Sequence, residues 1–229
     1  TTLDYFWCGV DIMSGIQQML TGGSYGYPNN WPVPAIGFAY EGGFFAGQIN
    51  ISGTKYNLVV APKSTGEYLG KAWGPTGVTT GITSVTNGPA NSAALAALGA
   101  SYAAATFCEG LNIGGYTDWY LPAKNELEVL YYYLKPIIYD NNTDSGSNAN
   151  AVSPEPISTN YTEATPPQTS ASSFKSGGAN AFAGSPDYYW SSTESNSSTA
   201  SSQYFVFGFQ DNFPKTYLNN VRAIRRVLA

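Results

Sequence analysis

Histidine is absent from this sequence. Ser-His-Asp and Cys-His nucleophilic catalysis both need imidazole as the base, and histidine is the commonest zinc ligand, so both chemistries lose their usual agent. An enzyme without it must show a carboxylate pair, a reactive lysine or a cofactor loop. Charge is scarce too: Asp, Glu, Lys and Arg make up 11% of 229 residues, where ordinary soluble domains carry about 25%. With 10 basic and 15 acidic residues the net charge is −5. Nucleic acid is not an expected partner, because phosphate contacts require clustered Lys and Arg. Apolar runs fall well short of the ~18 residues of a membrane span, so no membrane insertion is expected. No signal peptide opens the chain, and Thr1 in place of Met points to a processed or trimmed start. Cys8 and Cys108 match no zinc or redox spacing. A disulfide stays open for them, with two buried thiols as the simpler reading.

What is present is aromatic and uncharged polar. Hydrophobic residues reach 43% and aromatics 15%, which excludes the charge-rich, aromatic-poor composition of disorder. The 18 Tyr, 5 Trp and 11 Phe lie among Ser, Asn and Gly, the palette of adaptable binding surfaces. Tyrosine offers a flat face for stacking on a sugar ring and a hydroxyl for its polar edge. About half of these rings are expected in the core.

Residues 1–35 mix aromatics with turns and read as a connector or docking arm. Gly42–Ile51 and Thr54–Ala61 flank Ser52-Gly53, the pattern of a β-hairpin that Pro62 ends. Residues 66–89 are rich in Gly, Thr and Pro and read as a loop. Asn91 is placed to cap an alanine-rich helix running toward Cys108 in spite of Gly99. A second helix opens near Pro122, repeats Leu127, Leu130, Tyr131 and Leu134 at helical spacing, and stops at Pro136. Residues 140–180 form a long Ser/Asn/Pro/Gly-rich insertion. Gln203–Phe209 and Val221–Leu228 read as two closing strands joined by a loop from Gln210 to Asn220. Strands bracketing two helices give an α+β class.

Candidate chemistry is thin. Asp140-Asn141-Asn142-Thr143-Asp144 alternates oxygen ligands as a calcium loop does. Ser145 then replaces the turn glycine and Ala151 the bidentate Glu, so a solvated loop is expected rather than a metal site. Glu126 and Glu128 stand two apart on a helix and face different ways, so they make no carboxylate pair. Gly42-Gly43 and Gly114-Gly115 lack phosphate-loop spacing and read as turns. Arg222, Arg225 and Arg226 read as a strand whose guanidinium groups meet carboxylates or carbonyls. No catalytic residue, metal or cofactor is expected, and the chain is read as a non-enzyme.

Three ordered segments carry a resemblance: Gly115-Tyr116-Thr117-Asp118-Trp119-Tyr120-Leu121-Pro122, Tyr189-Trp190-Ser191-Ser192-Thr193-Glu194, and Val221-Arg222-Ala223-Ile224-Arg225. Over roughly residues 100–229 the chain resembles the domain that ends the Legionella collagen-like adhesin and many phage tail proteins. That family is grouped with C-type-lectin-like folds of the formylglycine-generating-enzyme type. The resemblance implies a C-type-lectin-like domain over 36–229, with two helices on short antiparallel sheets and long loops. It implies fold-holding roles for Trp119, Trp190 and Arg222. The oxidase members' cysteine pair has no counterpart here, so activity is not carried over. Diversified members of the fold vary between the Trp strand and the closing Arg strand. The positions here are Ser195, Asn196, Ser198, Gln203, Tyr204, Asp211, Asn212, Phe213, Tyr217 and Asn219.

The function implied is that of a phage tail-fibre or tail-tip protein on the virion surface, binding a host cell-surface glycan or protein. Other virion proteins and further copies of the chain, a trimer above all, are the remaining expected partners. A structural virion subunit and a bacterial surface adhesin are the rival readings.

Overall fold

The computed structural model describes residues 33–152, 159–183 and 188–229. All but the last three residues of the expected N-terminal arm, and Cys8 with it, lie outside them. The described residues form an α+β structure. In chain order the elements are β1 (Ala39–Tyr40), β2 (Gly43–Ile51), β3 (Thr54–Val60), α1 (Lys63–Gly66), β4 (Glu67–Lys71), α2 (Gly88–Ala97), α3 (Ala103–Glu109), α4 (Lys124–Leu134), β5 (Ala151–Val152), β6 (Tyr188–Glu194), β7 (Thr199–Tyr204), β8 (Gln210–Pro214), β9 (Asn219–Arg222) and β10 (Ile224–Leu228). One sheet runs β1-β2-β3-β10 with β5 added to β2, and the other runs β4-β9-β6-β7-β8. Every pairing is antiparallel except β6 with β9.

The β2–β3 hairpin forms where the sequence placed it. Ile51 pairs with Thr54, and the two linking residues both take positive φ, Ser52 at 51° and Gly53 at 89°. A two-residue loop of this hand matches the strand twist. Helix α4 also forms as expected, with Leu127, Leu130, Tyr131 and Leu134 buried. It starts at Lys124, however, so Pro122 precedes the cap instead of standing in the first turn. Glu126 reaches back to accept the Ala123 N–H at 2.8 Å, one half of a capping box, and alanine has no side-chain oxygen for the other half. The helix lies on β2 with Leu58, Val60, Phe205 and Ile224 in one core.

Several expectations need correction. The segment read as a loop over 66–89 contains β4, an edge strand with Tyr68 and Leu69 exposed, so no buried alternation marks it. The alanine-rich helix begins at Gly88 with Pro89 in its first turn, which puts Asn91 inside it. There Asn91 donates to the Ser84 carbonyl at 2.6 Å rather than capping. Gly99, at φ 109°, then divides α2 from α3.

The run Gln203–Phe209 is not one strand. The chain reverses after Tyr204: Gly208 N–H donates to Tyr204 O and Tyr204 N–H to Phe209 O, both at 2.8 Å. The expected loop from Gln210 to Asn220 therefore contains β8. Val221–Leu228 is likewise split, with Ala223 carrying the chain from the second sheet into the first. Its N–H donates to Gly66 O and its carbonyl accepts from Ala61 N–H.

The 140–180 insertion holds only β5 and one short 3-10 turn among its described residues, yet it is pinned. Asn141 is buried, accepts from the Tyr131 hydroxyl at 2.7 Å, and donates to the carbonyls of Thr162, Glu163 and Pro166 at 3.0 Å each. Lys135, 1% exposed, donates to Asn141 Oδ1 and to the carbonyls of Tyr139 and Pro166. Burial lowers its ammonium pKa, against the pull of Asp140.

Candidate functional site: the aromatic face of the closing sheet

Strands β6, β7 and β8 end the second sheet, and three cation–carboxylate pairs, two of them fully buried, hold the surrounding chain. Arg222 meets Glu67 at 2.8 Å and the Ala61 carbonyl at 2.8 Å. Arg225 makes a two-pronged pair with Asp118 at 2.7 and 2.9 Å, its guanidinium 3.8 Å from the Tyr116 ring centre. Lys215 meets Glu194 at 2.5 Å. Arg226 reaches Asn87 and the Thr86 carbonyl. The arginine cluster is thus spent inside the fold. Trp119, Trp190 and Arg222 are fully buried, as their fold-holding role requires. The Trp190 indole donates to Lys71 O and the Trp73 indole to Ser191 O, both at 2.8 Å.

The ten loop positions do not share one surface. Cross-strand register opposes Tyr188 to Tyr204, Ser202 to Asp211 and Ala200 to Phe213. Side chains alternate along a strand, so Tyr188, Tyr204, Asp211 and Phe213 share the outer face. Gln203 and Asn212 fall on the other. Gln203 is 1% exposed, with its amide donated to Gly208 O at 2.8 Å, so it is a core residue and not a contact. Asn212 stays exposed only because β8 is an edge strand, and it accepts from Ser201 Oγ. Ser195, Asn196 and Ser198 sit exposed in the β6–β7 turn, where Asn196 Oδ1 accepts the N–H groups of Ser198 and Thr199. Tyr217 is exposed in the β8–β9 turn, and Asn219 starts β9 half-buried.

The outer face carries a continuous ladder of rings. Tyr188 stacks on Tyr204 at 4.6 Å and 19° and lies 4.4 Å from Phe213, which reaches Tyr217 at 5.8 Å. In the other direction Tyr204 meets Phe207 at 5.8 Å and Phe209 at 6.5 Å, and Phe207 stacks with Tyr139 at 5.7 Å and 22°. Tyr139 and Tyr217, at the two ends, are 54% and 52% exposed. Burial, then Asp211 and Tyr204, raise the Tyr188 pKa, so its hydroxyl stays protonated and able to donate.

Tyr139, Tyr188, Phe207 and Phe209 were not among the sequence-derived positions. Phe207 and Phe209 were hidden in an aromatic run that reads as one strand. The signal available was Gly208, whose φ of 76° allows the reversal that turns both rings outward. Tyr139 lies 68 residues from Phe207 in sequence and immediately precedes the insertion.

Edge strand β8 is blunted: Gln210 N–H is taken by Ser145 Oγ at 3.1 Å, and Pro214 has no N–H. The face therefore presents side chains, not a free backbone ladder. Asp118 and Glu126 go to Arg225 and Tyr120 respectively. Among the described residues no group of three or more His, Cys, Asp or Glu side chains is placed to hold a metal ion.

No curated protein matches the chain. The Lcl C-terminal domain family matches over residues 73–225, more than half of the chain and the part holding both tryptophan motifs, the arginine strand and the ladder. The chain belongs to the Lcl C-terminal domain family.

Proposed function

We propose that this is a non-catalytic attachment domain of C-type-lectin-like fold, carried on a phage tail fibre or tail tip. It binds a host-cell surface through the outer face of β6–β8. Family membership suggests a surface, adhesin-like domain, and the phage setting is the finer part of the reading. The observation that carries it is the ladder from Tyr139 to Tyr217, a row of rings left open on a sheet backed by buried ion pairs. Rigid rings lose little entropy on binding and expose both a π face and, for tyrosine, a hydroxyl. A shallow site of this kind binds weakly by itself. Several copies on one particle raise avidity by about 10²–10⁴, which is the role of the proposed trimer.

The test is binding of the purified chain to intact candidate host cells, beside a variant with Ala at Tyr204, Phe213 and Tyr217. Asn212 is left alone because it faces the other way. Wild type binding with at least about a tenfold loss in the folded variant, or about 1.4 kcal/mol, supports attachment. Equal binding by both forms removes the ladder from the receptor site. A structural virion subunit is favoured instead by exposed Ile138 and Leu218, 76% and 70% accessible, if the chain assembles with other particle proteins and binds no cell.

A further inference from the structure

Two hollows lie side by side at the Tyr139 end of the ladder. One, of about 340 Å³, is lined by Asp140, Asn141, Asn142, Phe207 and Phe209. The other, of about 410 Å³, has Ile138, Tyr139, Asp140, Glu163 and Gln168 in its walls. Asp140 borders both. The stacked Tyr139–Phe207 pair brings one ring from each hollow together.

The floor is rigid. Asn141 is held by hydrogen bonds with Tyr131, Lys135, Thr162, Glu163 and Pro166, so its neighbours Asp140 and Asn142 start from a fixed backbone. Asn142 is fixed further: its N–H donates to Phe207 O at 2.7 Å, and its Oδ1 accepts from Ser145 Oγ at 2.9 Å. That first bond ties the insertion directly to the β7–β8 turn.

We propose that these hollows are consecutive subsites for an uncharged oligosaccharide, each taking one sugar ring. The inference rests on the attachment reading and names the receptor chemistry. A pyranose has an apolar C–H face and a rim of hydroxyls. Phe207 and Phe209 in the first hollow, and Tyr139 in the second, offer flat apolar walls. Asp140, Asn142, Glu163 and Gln168 supply the carboxylate and amide groups that hydroxyls need. Each volume falls within the range of small-ligand sites, about 300–1,000 Å³.

Charge decides between neutral and anionic sugars. Asp140 faces both hollows and Glu163 the second. Among the described residues Lys135 is the cation lining the second hollow, and its ammonium is already committed to Tyr139 O, Asn141 Oδ1 and Pro166 O. Sulfated, phosphorylated or sialylated chains would meet carboxylates with no free cation in return.

The experiment presents the full chain to immobilised short oligosaccharides of glucose, mannose, galactose and N-acetylglucosamine, with heparin and sialyllactose as anionic comparisons. Asp140→Ala, at an exposed side chain, and Phe209→Ala are run in parallel, with thermal melts to verify folding. Retention of at least one neutral chain, weakened at least tenfold in both variants, is the expected result. Binding confined to the anionic chains, neutral binding unchanged in the variants, or no neutral binding would overturn it. The same preparation is applied to host cells. Binding to cells that depends on Phe213, with no neutral sugar retained, ends the subsite inference and leaves attachment standing. Failure on cells and sugars together ends both.

Discussion

Lys215 and Glu194 meet at 2.5 Å with 0% and 1% of their side chains exposed. Lys215 also donates to Val78 O at 2.7 Å, and Glu194 accepts the N–H groups of Thr80 and Gly81. This cluster ties the residue after β8, the end of β6 and the 78–81 segment together. Lys215→Met leaves a buried carboxylate without its counter-charge and should cost about 3–5 kcal/mol in urea unfolding. Lys215→Met with Glu194→Gln should recover part of that loss. Burial pushes the Glu194 carboxyl up, but Lys215 and the two N–H groups outweigh it and hold the pKa below 4.5. The cluster's contribution is therefore present above pH 4.5 and fades as pH falls through the lowered value.

Glu128 behaves in the opposite sense. It is buried, and its partners are neutral: Asn148 Nδ2 at 2.6 Å and the Tyr161 hydroxyl at 2.8 Å. Burial pushes its pKa up to about 7, more than these two bonds pull it down. Glu126 is also raised to about 7 by burial, against the Ala123 N–H, Tyr120 and Arg226. The folded chain then holds protons that the unfolded chain has released, so stability should fall as pH rises from 4.5 to about 7. Glu128→Gln fixes the neutral form at that site. Melting temperature plotted against pH should be flatter in the variant, which gains on wild type above pH 7.

Gly88 is set by contact. A Cβ there would lie 2.1 Å from Glu126 Oε2 and 2.5 Å from the Tyr120 ring. Alanine is a good helix former, so helix propensity alone predicts a gain from Gly88→Ala. Overpacking predicts the reverse, a loss of about 1–3 kcal/mol in chemical denaturation. Displacing Glu126 also disturbs its bond from Tyr120, so the loss is expected to win.

Cys108 is a free, buried thiol whose pKa burial, and then Glu109, raise well above the usual value. Thiolate is the reactive form. In a Cys8→Ser background the native chain should resist alkylation, with labelling appearing only as denaturant unfolds it. Rapid labelling of the native chain would place the thiol at the surface.

Legibility differed by element. The hairpin at Ser52-Gly53 and the helix of Leu127, Leu130, Tyr131 and Leu134 were readable because turn chemistry and helical spacing act over a few residues. Strand β4 was not, since its pairing partner β9 lies about 150 residues away and its exposed Tyr68 and Leu69 hide its edge position. The glutamates show both outcomes. Their lack of a mutual pairing follows from a spacing of two on a helix, whereas their burial depends on Tyr120 and Tyr161 arriving from elsewhere.

Composition by itself determined that imidazole chemistry is excluded, that charge is scarce, and that aromatic surface is plentiful. Local pattern determined the α+β class and the three ordered motifs. Only the tertiary structure decided which rings are open. The reversal at Gly208 turns Phe207 and Phe209 outward, and strand pairing puts Tyr204 outside and Gln203 inside. The chain pinned at Asn141 then brings the neighbouring Tyr139 onto Phe207. The physical reason is one of range: a side chain's face is fixed by cross-strand register and by partners tens of residues distant, which no window along the chain contains.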